Sequence, residues 1–305
     1  MKTKMKCAII GYGYWGHIVE RYLINSEKFY LAYIYDPSIT NQISLEIILN
    51  DNEIEAAFIC TPIETHYEMT KLLLQHNKHV FCEKPLTKTL ILAEELAKLA
   101  INKNKCLYTD YIYTVSPSIN FIKDKLESIG TIIDIEGEIL QFGNFYENDS
   151  VDDVLAVHMF SIILYLLDKK KDIDVEKVIT IRSDKHNLLE CKIVLKSLFV
   201  SKITFICSLV SDTKSRRVCI RGEKGNLVFD MLGEFTAKQF LVEKQEVGYR
   251  ILKENNKKFD EKNNLELAIN KFYDEIKRFS NGNLLMSLAV TDLLERFKHY
   301  TNTNL

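Results

Sequence analysis

Cys7-Ala8-Ile9-Ile10-Gly11-Tyr12-Gly13-Tyr14-Trp15-Gly16 decides the reading of this chain. A short apolar run meets three glycines spaced G-x-G-x-x-G, and a helical pattern follows from His17 to Leu23. That order predicts strand, tight turn, helix. Gly11 lets the chain turn sharply, Gly13 lets backbone approach a pyrophosphate, and Gly16 lets the helix pack closely on the strand. The first helical amides then point at the phosphates, where the helix dipole favours negative charge. A bare glycine pattern also suits a turn that holds nothing. What separates the two readings is a second apolar run, Tyr30 to Tyr35, which ends at Asp36. An acid about 20 residues past the last glycine is placed to accept hydrogen bonds from a ribose.

The bulk composition is that of a globular protein. The chain has 305 residues, a length that suggests two domains. Apolar residues make up 47% and charged residues 27%, enough apolar surface for a real core. A net charge of −2 gives no electrostatic case for nucleic acid or an anionic membrane. No apolar run reaches the roughly 18 residues that span a bilayer. Lys2, Lys4 and Lys6 precede an apolar run too short for a secretory h-region, so that run reads as the first strand and the protein as cytoplasmic. Cys7, Cys60, Cys82, Cys106, Cys191, Cys207 and Cys219 form no C-x-x-C pair, and most lie in apolar runs. They read as small buried hydrophobes of a reducing compartment.

Taken in order, strands and helices alternate over the first 110 or so residues. Helical patterns lie near Ile43 to Leu49, at His66 to Gln75 and at Thr89 to Ile101. Between them come Ala56 to Cys60, His79 to Cys82 and Cys106 to Tyr108, the strands of a doubly wound parallel α/β sheet of Rossmann type. Beyond Ser118 to Leu126, read as helix, the pattern turns to consecutive strands: Ile132 to Phe142, Val175 to Ser183, Leu188 to Lys196, Phe199 to Cys207, Arg217 to Gly222 and Asn226 to Asp230. One helix interrupts them, Val151 to Leu167, and Gly222 to Gly225 reads as a hairpin turn. This predicts a second, α+β domain with a mostly antiparallel sheet, and domains of 1–112 and 113–305. The stretch 231–263 is polar and unassigned, and two helices follow, Leu265 to Phe279 and Leu284 to Tyr300, the last able to pack back on the first domain.

In a doubly wound sheet, ligands sit beyond the carboxyl ends of the strands. The glycine turn, Asp36, Thr61 to His66 and Glu83-Lys84-Pro85 all follow strands and so share one rim. An ammonium at Lys84 can hydrogen-bond the oxygen at a reacting carbon and help move its proton. His158, beside Met159, Phe160 and Ile162, is either a general acid/base or a hydrogen-bonded core histidine. His66, at a helix start, either lines the cleft or caps locally. No H-E-x-x-H or Cys/His cluster suggests a metal, and no G-x-S-x-G elbow suggests a serine hydrolase.

Together these motifs resemble the Gfo/Idh/MocA oxidoreductases. The likeness rests on Gly11 to Gly16, Asp36, Cys60-Thr-Pro-Ile-Glu-Thr-His66 and Glu83-Lys-Pro-Leu86, and on the later Arg217 to Gly225 and Phe272 to Ser287. It implies a Rossmann domain followed by an open-faced sheet domain that builds dimers or tetramers. It implies NAD(P)-linked redox chemistry on sugars, cyclitols or nucleotide sugars, with NAD favoured over NADP because Asp36 repels a 2′-phosphate. By the same resemblance Gly11, Tyr12, Gly13, Tyr14, Trp15, Gly16 and Asp36 hold the cofactor. Thr61, Pro62 and His66 line the nicotinamide side, Glu83 lies near its ribose, and Lys84 and His158 are the catalytic pair. The stretch from Asn144 to Asp149, with the helix around His158, looks most like the branch acting on nucleotide-linked sugars in surface polysaccharide synthesis.

Two positions depart from the family pattern. The aspartate usual four residues before the helix histidine is Val154 here, and Asp152 and Asp153 fall early. On an α-helix Asp153 then lies off the His158 face, unless the helix starts differently. Thr114 stands where many members carry arginine. Two rival readings follow, a catalytically silent dinucleotide-binding partner or sensor and a reductase of a non-sugar similar to the biliverdin reductases.

Overall fold

A computed structural model of the chain describes residues 4–39, 43–142, 150–168, 172–184 and 187–304. It divides into two compact units, Met1–Tyr111 with Asn263–Thr291, and Ile112–Lys262 with Asp292–Leu305.

The first unit carries a parallel sheet of five strands: β1 (Met5–Ile10), β2 (Phe29–Tyr35), β3 (Ala56–Ile59), β4 (His79–Cys82) and β5 (Leu107–Thr109). Their order is β2-β1-β3-β4-β5. The connections are α1 (Tyr14–Ile24), α2 (Leu45–Asn50), α3 (Ile63–Gln75) and α4 (Leu90–Asn102). Both faces are covered, so the strands read as unbroken apolar runs rather than alternating ones. On one face Ala8, Ile10, Ala57, Ile59, Val80 and Cys82 pack with Leu73, Leu74, Ala93, Leu96 and Ala97. On the other Phe29, Phe58, Phe81 and Tyr108 gather around Phe272, with ring centroids 5.6–6.1 Å from it.

The second unit carries an eight-stranded sheet built from β6 (Ile132–Phe142), β7 (Asp174–Asp184), β8 (Asn187–Lys196), β9 (Lys202–Ser208), β10 (Val210–Gly222), β11 (Gly225–Asp230), β12 (Ala237–Lys244) and β13 (Tyr249–Lys257). The order is β13-β12-β11-β10-β6-β9-β8-β7. Only β6 and β9 pair in parallel. The hairpin turn is present as a two-residue loop, Glu223-Lys224, closed by the Gly222–Gly225 pair. The unit's helices are α5 (Pro117–Lys125) and α6 (Val157–Leu167). Beyond these, α7 (Asn264–Lys277) belongs to the first unit, and α8 (Leu284–Asn304) begins in the first and ends in the second.

The structure adds to the sequence reading in three places. The segment Asn263–Thr291, assigned by sequence order to 113–305, belongs to the first unit. The reason is Phe272, whose burial completes the aromatic face of the parallel sheet. The unassigned 231–263 holds β12 and β13, which pair antiparallel from Ala237↔Lys257 to Lys244↔Tyr249 with a one-residue register shift between Leu241 and Val242. β13 is an edge strand with mostly exposed polar side chains, so backbone pairing rather than apolar alternation makes it a strand. The interrupting helix is not uniform either: Asp152–Ala156 is a π-turn and the α-helix proper starts at Val157. Among the described residues no helix is long and apolar enough to cross a membrane.

Candidate active site

The glycine turn is built as its spacing requires. Gly11 has φ +92°, and a Cβ there would lie 2.7 Å from the Thr61 Cγ2 and 2.8 Å from the Cys60 carbonyl carbon. At Gly16 a Cβ would meet the Gly11 carbonyl oxygen at 2.3 Å, so only glycine brings the helix this close to the turn. Gly13 is different: a Cβ there meets nothing within 4 Å. Its neighbourhood is open space at the start of α1, whose N-cap is Gly13 itself, with no side-chain cap and no acid in the first turn. Unsatisfied amides facing open space, with no carboxylate to compete, fit a dinucleotide's pyrophosphate. Tyr14 and Trp15 flank the opening as exposed rings in edge-on contact, centroids 5.6 Å apart.

Asp36 is joined to this turn. Its Oδ2 accepts the Tyr12 amide at 2.6 Å, while Oδ1 accepts the Ser38 hydroxyl at 2.6 Å and the Ser38 amide at 2.9 Å. The Ser38 hydroxyl, then the Tyr12 amide, hold the carboxyl below its ordinary range. The carboxylate thus stays ionised and locks the end of β2 to the glycine turn. Tyr12 reaches the other way, its hydroxyl donating to Glu20 at 2.5 Å and its ring lying tilted against His17.

Farther along the rim, Pro62 caps α3, and the Thr65 hydroxyl donates to the Thr61 hydroxyl at 2.6 Å. His66 takes a different place from the lining role that the family resemblance implied. It is 1% exposed, its Nδ1 is 2.8 Å from the Pro85 carbonyl oxygen and its Nε2 is 2.8 Å from that of Thr61. Carbonyls only accept, so the ring donates through whichever nitrogen carries a proton. Burial pushes the imidazole below its ordinary value, while the two carbonyls oppose that shift. His66 therefore clamps the Thr61-Pro62 turn to the Glu83-Lys84-Pro85 turn from within.

Glu83 continues the sheet past β4, its amide donating to the Ile59 carbonyl at 3.0 Å. Burial pushes its carboxyl up to about 7, against the pull of the Lys84 charge. Lys84 is half-buried and its peptide bond to Pro85 is cis. Beside them stands a residue that the motifs did not single out. Asp110 follows β5, its amide donates to the Cys82 carbonyl at 2.9 Å, and burial holds its carboxyl well above the usual range. The available signal was positional: Asp110 follows β5 as Glu83 follows β4.

His158 lies in the second unit, in the first turn of α6, half-buried and edge-on to Tyr113 with centroids 5.2 Å apart. Tyr113 comes from a 3-10 turn, Ile112–Val115, that also carries the buried Thr114. Burial pushes the Tyr113 hydroxyl up, opposed by Arg216 of β10. Nothing in the sequence spacing pointed to Tyr113 or Arg216. The π-turn places the two acids ahead of His158 against Lys298: its Nζ lies 2.7 and 2.9 Å from the Asp153 carboxylate oxygens and 3.4 Å from Asp152 Oδ2. The segment Asn144 to Asp149, which carried the nucleotide-sugar likeness, lies outside the described residues. Among the described residues no three His, Cys, Asp or Glu side chains gather as a metal site.

Comparison with known proteins agrees with this geometry. Human biliverdin reductase A is 35% identical over 85 residues, which are 28% of this chain and 29% of that protein. The aligned region thus spans under a third of that relative's length. Among solved structures, a 3-ketoreductase from Actinomadura kijaniata, in complex with TDP-benzene and NADP, superposes with a TM-score of 0.80 at 14% identity. That superposition covers 96% of each chain. UDP-N-acetylglucosamine 3-dehydrogenase from Acidithiobacillus ferrooxidans gives 0.79 at 18% identity, over 98% of this chain and 99% of that one. At such identities the superpositions establish a shared fold, and it extends over both units. Residues 5–111, about a third of the chain, match the model of the Gfo/Idh/MocA oxidoreductase family with an NAD-binding Rossmann fold.

Proposed function

We propose that the chain is an NAD(H)-dependent oxidoreductase that moves hydride to or from a hydroxyl or keto carbon of a sugar or nucleotide sugar. The observation that carries this reading is the rim of the first unit. An open glycine turn, an ionised Asp36 and the Lys84 turn are held together by backbone hydrogen bonds and by His66. The dinucleotide, when bound, supplies a two-electron hydride donor or acceptor.

This chain's residues do the rest. The α1 amides and Gly11 to Gly16 bind the pyrophosphate. Asp36 takes the ribose hydroxyls, and its charge disfavours a 2′-phosphate. Thr61, Pro62 and Glu83 bound the nicotinamide end, with His66 holding them from behind. Lys84 Nζ hydrogen-bonds the substrate oxygen, stabilises negative charge on it and exchanges a proton with it. His158 acts for the second unit as acid/base or as the group that orients the substrate. The seven free cysteines suit a reducing cytoplasm, and a homodimer or homotetramer is the assembly expected, to be read by light scattering.

Trp15, the only tryptophan, sits in the glycine turn and reports the first step. Titration with NADH should quench its emission saturably, with a weaker response to NADPH. Turnover is then screened on nucleotide sugars. Lys84→Ala should lower turnover about 100-fold or more while changing NADH affinity less than about threefold. No response to either nucleotide at millimolar concentration overturns the proposal. A second reading has its own support in the 35% identity to biliverdin reductase A. Reduction of biliverdin, with every nucleotide sugar inert, would select it.

A further inference from the structure

Glu83 and Asp110 occupy corresponding places on adjacent strands. The last register pair of β4 and β5 is Cys82↔Thr109, and the Asp110 amide continues that ladder onto the Cys82 carbonyl. Glu83 and Asp110 come one residue later on each strand, so their side chains share one face of the sheet. Glu83 is 7% exposed and Asp110 3%. Glu83 Oε1 and Asp110 Oδ1 are both buried and have no hydrogen-bond partner among the described residues.

Two buried carboxyls side by side cannot both ionise cheaply. The groups around them sharpen the point. Cys60 at the end of β3 is held as a thiol first by burial, then by Glu83, Cys82 and Asp110. Burial holds Cys82 protonated, and the Tyr111 hydroxyl is likewise pushed up with Ser287 of α8 as its partner. From α3 comes His66, pushed down by burial. The cation acting on both carboxyls is Lys84. Two adjacent buried carboxyls facing one ammonium are best balanced by holding one proton and one negative charge between them.

Building on the oxidoreductase reading, we propose that Asp110 is a positioning residue acting through Lys84: with Glu83 it stores the proton that resets Lys84 after exchange with substrate. In the reducing direction the new alkoxide takes a proton from Lys84 Nζ, breaking N–H and forming O–H. The Lys84 amine then takes the proton stored on the Asp110–Glu83 pair, breaking O–H and forming N–H. The pair recovers one proton from solvent once product leaves. No electrons move in these steps, and the oxidising direction runs them backwards.

The test begins with the unliganded protein and so stands apart from the oxidoreductase reading. Infrared difference spectra should show a protonated-carboxyl band at pH 7 that Asp110→Asn removes or shifts. Competitive labelling of Lys84 by an acylating reagent, read by mass spectrometry, should show its midpoint about one pH unit lower in Asp110→Asn, a roughly tenfold change in the amine fraction. Glu83→Gln serves as a second variant if Asp110→Asn folds poorly, with the same direction expected. If the chain turns over a substrate, the pH profile of kcat in Asp110→Asn should move with the labelling midpoint while KM for NADH stays level. Absence of the wild-type band, or a labelling midpoint unmoved in both variants, overturns the inference even where dehydrogenase activity is found. A shifted midpoint with no turnover on any substrate keeps the proton pair and breaks the oxidoreductase reading instead.

Discussion

The Lys84 rim and the His158 helix are built on opposite principles. The rim is assembled from strand ends, where Gly11 lies against Cys60 and Thr61, Asp36 reaches Tyr12, and His66 joins Thr61 to Pro85. Each contact includes a backbone atom, so side-chain identity is constrained at few positions and strand register does the placing. The His158 region depends on helical phase. One residue inserted or lost turns a helix face by about 100°, and the π-turn Asp152–Ala156 absorbs such a difference. What holds that turn is a set of side-chain charges, Asp152 and Asp153 on Lys298. Register tolerates little change in the glycines and much elsewhere, whereas helical phase can be reset by a local change of winding.

The largest expected effect breaks the rim. Gly16→Ala puts a methyl 2.3 Å from the Gly11 carbonyl oxygen, so either α1 retreats or the turn opens. NADH affinity, read from Trp15 quenching, should fall by about two orders of magnitude, or roughly 2.7 kcal/mol, and no change would mean that the turn does not hold the pyrophosphate. Next comes the clamp. His66→Ala removes the ring that donates to one of the two flanking carbonyls and leaves a buried hole, a cost of about 2–4 kcal/mol in denaturant unfolding.

The smallest of the three belongs to the other region. Lys298→Ala strands the buried Asp152 beside Asp153, but Lys298 is itself partly exposed, so about 1–2 kcal/mol is expected. The two clamps also differ in the sign of their pH dependence, which sharpens the comparison. The His66 pKa is lowered by burial in the folded state, so its contribution is complete above the unfolded value of about 6.5 and declines as pH falls below it. Burial lowers the Lys298 pKa, but Asp153 and Asp152 outweigh that and raise it. Its contribution is therefore complete below the unfolded value of about 10.4 and is lost as pH rises through the folded one. Stability difference curves for the two variants against wild type should diverge at opposite ends of the pH range. Parallel curves would show that neither clamp works through its charge.

The elements of the first unit were legible because both faces of a parallel sheet are buried. Unbroken apolar runs such as Ala56 to Ile59 leave little choice of structure, and the breaks between them fall at Gly, Pro and Asp. β13 was illegible for the converse reason, since Tyr249–Lys257 pairs through its backbone and exposes most of its side chains. The rim residues were legible as motifs, yet His66 was visible only as a motif residue and not as a clamp. Asp110 escaped because a single aspartate after a strand resembles any turn residue.

By itself the sequence determined the parallel sheet, the glycine turn and the positions that follow each strand. Short-range spacing and apolar periodicity act along the chain, and both are written in its order. Only the tertiary structure decided that Phe272 completes the first unit, that His66 faces inward, that Asp110 joins Glu83, and that Asp153 meets Lys298. Those pairings join residues 19 to 243 positions apart in the numbering, from His66 and Pro85 at the near end to Phe29 and Phe272 at the far end. No local pattern encodes them, because burial and register, rather than neighbouring residues, choose the partner.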